Sequence, residues 1–299
     1  MRSASFKALA IAILSVFAPG ALAQPEPVIV PGYVAPPIAR HQATTLRVYE
    51  APEADQGAAV DATHFYAVDN SVIGKYQKSD GRLIERWISP NDGPIDHLNS
   101  CFEATGELWC ANSNYSETPM ASSIEVFSTA PLRHVRSHSL GLMDEGSLTW
   151  FDRYEEGWLA AFAHYDGTDG GLAFKSHRFT GIVSFDSQWR RKGGWMLPNS
   201  VLDALAPDAA SGGQIGPDGL LYITGHDKPE LYVLAKPKMG PKLVHLATID
   251  VELEGQAFSW DIGAERVLYS IDRRNGLVRA IAVPEISLAH ENARLFRDD

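Results

Sequence analysis

Cysteine is scarce in this chain: two residues in 299, Cys101 and Cys110, nine positions apart. A structural zinc site needs four convergent Cys or His ligands, and this pair is not a CxxC knuckle, so zinc does not organise the fold. Also lacking is any apolar run of the roughly 20 residues that span a bilayer. No cluster of Lys and Arg interrupts a formal net charge of −11, which excludes nucleic acid and anionic lipid as natural partners. There is no long amphipathic helix, nucleophile elbow, P-loop, dinucleotide fingerprint or kinase signature. A catalytic triad is not excluded, because its members need not be neighbours in sequence.

What the chain does have begins with a leader. Arg2 and Lys7 precede an apolar run, Ala8 to Ala18, and Ala21-Leu22-Ala23 has the small-x-small pattern of a signal-peptidase site. Residues 1–23 therefore read as a secretory signal, and the mature protein is expected to be periplasmic or secreted, with a net charge of −13 once Arg2 and Lys7 are removed. Residues 24–43 carry five prolines and no strand or helix period, which predicts an extended leader. Residues 285–299 read as a tail.

Between these ends the chain reads as strands. Short runs rich in Val, Ile, Tyr, Phe and Trp alternate with Gly, Asp, Asn and Pro turns, and "NSVLDAL" at 199–205 is the one helical candidate. The strands recur as a unit. "HFYAVD", "ELWCAN", "GWLAAFAH", "LLYITGHD" and "RVLYSID" repeat one strand, and "SVIGKY", "SIEVF", "GIVSF", "ELYVL" and "GLVRAI" repeat the next. Five copies predict an all-β fold over residues 44–284, a single propeller of five blades, each one a four-stranded sheet. Six remain possible if 167–178 and 198–210 hide an irregular blade. The last copy lacks an outer strand, and Thr44 to Ala51 is a strand without a partner. Joining the two would close the ring and remove two sheet edges.

These repeats resemble those of the YVTN, pyrroloquinoline-quinone-type and lactonase-like propellers, carried by "LLYITGHDKPELYVL" and "HFYAVDNSVIGKYQKSDGRLIERW". "EGSLTW" and "EGQAFSWD" resemble innermost-strand starts of gluconolactonase and esterase-like members. The resemblance covers most of residues 44–284 and implies a fold more firmly than a reaction. It also implies that a metal in a central funnel is in keeping with the fold, although no complete ligand set of those families matches here.

The stretch "HLNSCFEATGELWCANSNY" reads as the inner hairpin of the second blade. Thr105-Gly106 suits a two-residue turn, which pairs Cys101 with Cys110 and Phe102 with Trp109. Opposed residues lie at a Cα separation close to what a disulfide accepts, and in an exported protein the pair is expected to be oxidised. The same register would set Asn99 against Asn112 and His97 against Asn114.

In a propeller, innermost strands start and second strands end on one face of the disc, around a central funnel. That rule collects the candidate site. Glu145, Glu254 and His164 are the candidate catalytic groups, and His97 and His226 the candidate metal ligands. Asn99, Asn114, His177, Arg178 and Gln256 are the candidate substrate contacts. Asp69, Asn70 and Asp272 read as turn formers. Imidazoles and carboxylates together suit a divalent cation, with Ca, Mg, Mn and Zn not distinguished, and a metal-bound water able to attack an ester or lactone. Without metal, a glutamate and a histidine would serve elimination or glycoside cleavage. Competing with both enzymatic readings are a module that binds a small molecule or carbohydrate without turnover and a structural scaffold of the envelope. A monomer is the expected state.

Overall fold

A computed structural model describes residues 34–167 and 172–297. The expected signal at 1–23 lies outside the described residues, and the compact unit begins at Pro36. Among the described residues no helix is long and apolar enough to cross a membrane.

Five antiparallel sheets succeed one another along the chain. Blade one comprises Gly57–Val60, His64–Val68, Val72–Gln77 and Leu83–Ile88 from the axis outward. Blade two runs Leu98–Ala104, Glu107–Ser113, Ala121–Thr129 and Leu132–Leu142, and blade three Ser147–Tyr154, Gly157–Ala163, Gly181–Phe185 and Arg191–Met196. Blade four is Gly212–Ile215, Leu221–Thr224, Glu230–Pro237 and Val244–Asp250. Blade five takes Ser259–Trp260, Val267–Asp272 and Leu277–Ala282 from the end of the chain and its outer strand, Thr44–Glu50, from the beginning. Thr44 faces Ala282 and Glu50 faces Leu277, so the ring closes as the unpaired strand predicts.

The core explains why these strands read as continuous apolar runs. Five hydrophobic clusters fill the five gaps between neighbouring blades. Along His64–Val68, Phe65 and Ala67 enter the gap toward blade five, while Tyr66 and Val68 enter the gap toward blade two. A strand sandwiched on both faces must be apolar on both, so period-two alternation disappears. No sixth blade is present among the described residues. The helix Asn199–Leu205 instead packs Val201, Leu202 and Leu205 into the gap between blades three and four.

Two segments beyond the blades extend blade four. Ala39–Gln42, from the proline-rich stretch, pairs parallel with Val244–Asp250, and Arg40 there bonds Asp250 and Glu230. Ala293–Arg294 pairs with the strand Glu230–Pro237, and Phe296 packs on Tyr154 and Trp195 at ring separations of 5.9 and 5.7 Å.

The Thr105-Gly106 turn has φ of +54° and +80°, and Cys101 and Cys110 face each other in a disulfide with both residues fully buried. Toward the funnel the expected register fails by one residue. A bulge between Leu98 and Cys101 sets Leu98, not Asn99, against Asn112. One extra residue on the inner strand re-aims the side chains beside it. Closing so short a loop contributes about 2–3 kcal/mol. Replacing both cysteines by alanine is therefore expected to lower the melting temperature without preventing folding, as calorimetry of the double variant would record. Two free thiols in unreduced, denatured protein would contradict the pairing.

Candidate functional site

The starts of innermost strands and the ends of second strands surround a polar cavity of about 460 Å³ on the axis. Gln56, Asn99, Ser211 and Gln256 enter it from before or within innermost strands. Asn70, Tyr115, Tyr165, His226 and Arg273 enter it from just after second strands. Asp55, Asp96, His97 and Asp208 complete the wall from the preceding loops.

Hydrogen bonds fix the protonation of both histidines. Asn70 Nδ2 donates to Asp69 at 3.0 Å and to Asp55 at 3.3 Å, which turns its carbonyl toward His97. Asn70 Oδ1 only accepts, so His97 must carry its proton on Nδ1, 2.7 Å away. Among the described residues the Nε2 lone pair then has no hydrogen-bond partner. Burial outweighs the nearby Asp96 and Asp55 carboxylates and holds the ring neutral, with its pKa lowered to about 4. At His226, Arg273 Nη1 donates to Nε2 at 3.3 Å, so Nδ1 bears the proton and donates to Asp227 at 2.9 Å. Arg273 also pairs with Asp55 at 3.3 Å. A single polar chain thus links Asp227, His226, Arg273, Asp55, Asn70 and His97 across the funnel.

Beside this chain Tyr115 packs between His97 and Tyr165 in tilted ring contacts, at ring separations of 5.0 and 5.1 Å. Burial raises the Tyr165 hydroxyl well above its ordinary range. The Asp208 carboxyl is also pushed up, first by burial and then by the Asp227 and Asp166 charges, while His226 opposes the shift.

Asn99 and Gln256 are 6 % and 2 % exposed, line the cavity, and make no side-chain hydrogen bond among the described residues. Gln256 holds a left-handed φ of +61°, its N–H bonded to Gly225 and its carbonyl accepting from the Thr224 hydroxyl. A non-glycine residue in that region stores strain that the surrounding structure must sustain.

Of the residues singled out in the sequence, the cavity gathers His97, Asn99, His226 and Gln256. The others lie elsewhere. Glu145 pairs with Arg191 at 3.0 Å in a separate surface groove. Glu254 pairs with Arg274 at 3.0 Å, turned away from Gln256 by the left-handed Gly255 (φ +64°) between them. His164 is buried against Phe179, its pKa lowered by burial and by Lys175, and neither ring nitrogen has a hydrogen-bond partner among the described residues. His177 is buried and bonds Asp166 at 2.8 Å, and Arg178 pairs with Asp203 on the surface. Asn114 closes its own loop through Pro119 and Ala121.

Asp55, Asp96 and Asp208 escaped the sequence reading because loops without a strand period place them, whereas Tyr115 and Tyr165 follow second strands as His226 does and were within reach. Gln56 was within reach: it precedes Gly57 as Gln256 precedes Ala257, and the two small residues form a parallel bridge between the neighbouring blades one and five.

Asp208, His226 and Asp227 bring ligand atoms within 4.8 Å of one another, a donor set of the kind divalent cations use. Arg273 stands against this use, since a cation at His226 Nδ1 would move the proton to Nε2 and oppose two donors. His97 does not belong to that group.

No family model matches the chain, and no curated protein matches it. The fold is similar to that of the glutaminyl cyclase of Myxococcus xanthus, with a TM-score of 0.53 at 10 % identity over 84 % of this chain and 100 % of that one. Lower similarity extends to a chain of the mitotic checkpoint complex (TM-score 0.43, 9 % identity, 85 % and 98 % covered) and to U3-55K (0.41, 11 %, 81 % and 96 %). At such identities the likeness is one of fold: this chain is a five-bladed β-propeller.

Proposed function

We propose that the funnel is an enzyme site that breaks a bond in a small ester, lactone or sugar-type substrate by acid–base chemistry. The observation that carries this reading is His97, a half-buried imidazole held neutral, its Nε2 lone pair unspent among the described residues, in a polar cavity. In a hydrolysis, His97 Nε2 takes a proton from water, and the resulting hydroxide oxygen bonds to the substrate carbonyl carbon. The bond to the leaving oxygen breaks, and that oxygen receives a proton from Asp208, whose raised pKa favours the acid form. Arg273 orients His226 and balances Asp55. The fold neighbour with a cyclase name supports an enzymatic reading without supplying the reaction.

A second reading places a divalent cation at Asp208, His226 and Asp227, favoured by their clustering. A third is a binding module without turnover. A screen of esters, lactones, oligosaccharides and amino-terminal glutaminyl peptides, run with and without chelator, separates them. The expected result is turnover of one class that survives chelation and falls at least about a hundredfold in Asp208→Asn. Loss of turnover with chelator would favour the cation, and no turnover of any class would favour the binding module.

A further inference from the structure

The cavity wall is unbalanced in charge. Two carboxylates, Asp55 and Asp96, face it beside the Asp208 acid, against the one guanidinium of Arg273, which Asp55 already engages. Asp96 makes no ion pair or hydrogen bond among the described residues. Acidity alone would signify nothing. Asn99 and Gln256 add an independent observation, since each is more than nine-tenths buried, faces the cavity and has no partner for its amide among the described residues. Both amides open onto the cavity, and a ligand offering both a donor and an acceptor would pair them at a modest net gain for each hydrogen bond. A carboxylate ligand would satisfy only the amide N–H groups while meeting the Asp96 charge.

We infer that the funnel selects a cationic ligand with two distinct parts: a primary ammonium held by Asp96, and a neutral hydroxyl or amide head held by Asn99 and Gln256. This deepens the reading of the funnel as a substrate site and rests on it for the location alone. Two sources present that chemistry, amino sugars and amino-acid amides.

Titration calorimetry at low salt distinguishes them with two matched sets: glucosamine, glucose and glucuronate, then alaninamide, N-acetylalaninamide and N-acetylalanine. In at least one set the amine is expected to bind at least about tenfold tighter than its neutral analogue, with the anion weakest, and 0.5 M salt should shrink that preference. Asp96→Asn should reduce the preference about fivefold at unchanged melting temperature, since Asp96 is exposed and unpaired among the described residues. Asn99→Ala should weaken the amine and its neutral analogue alike. Equal or tighter binding of the neutral or anionic members, or no binding of either amine, overturns the inference. Amine binding without turnover would uphold it and sink the proposed catalysis. Turnover with an anion preference would do the reverse.

Discussion

Replacing His97 by alanine is expected to lower turnover by about 10²–10⁴-fold, the span that a positioned general base supplies. The fold should survive, because Asn70 Oδ1 keeps the Gln56 amide as a partner at 3.2 Å. The pH profile is the sharper measurement. With a pKa lowered to about 4, His97 stays neutral far below the 6.5 of an ordinary histidine, so the acid limb of kcat/KM should fall near pH 4. A limb near pH 6.5 would show that another group is the base. Stability should carry the same signature. Between pH 6.5 and 4 the unfolded chain takes up a proton at residue 97 that the folded chain refuses, so stability falls as pH drops through that window. His164 and His245, also lowered by burial, act with the same sign. Only the share due to His97 should vanish in the alanine variant, as melts at pH 7 and pH 4.5 would record.

The largest loss of stability is expected from Trp150→Ala. Trp150 is fully buried between blades three and four, and a Cβ on Gly213 would come within 2.3 Å of its ring. Removing a fully packed indole costs about 3–5 kcal/mol, or roughly 6–20 °C in melting temperature for a chain of this size. Gly213→Ala should be costly for the same reason, as its new methyl overlaps the ring. Combined in one chain, the two changes should cost less than their sum, because the methyl then enters the space the indole left. Strict additivity in denaturant melts would sink the claim that the Trp150 ring and a methyl at residue 213 compete for one space.

Local and periodic signals are the ones a sequence carries openly. The five-fold recurrence of paired strands pointed to five blades with six left open, and the unpaired strand at 44–51 with the last copy's missing outer strand pointed to the closure. Cys101 and Cys110 flank a turn whose geometry depends on two residues, so their pairing was legible as well. The helix at 199–205 could be read from seven residues. The face of the disc where the site lies followed from topology, and four of the candidate residues reach the cavity.

Which polar side chains turn inward was not legible, since each chooses among partners far away in sequence. Glu145 and Glu254 stand just ahead of innermost strands, yet each swings to an arginine, Arg191 or Arg274, that is close only after folding. A one-residue bulge shifts Asn99 out of its simple pairing. Asp96 and Asp208 lie in loops with no period at all, and only ring closure carries them to one cavity. By itself the sequence determined the strands, their recurrence and the closing pair, because those depend on apolar period and turn chemistry. Only the tertiary structure decided which charges share the funnel, because an ion pair is settled by distances between blades that no local pattern encodes.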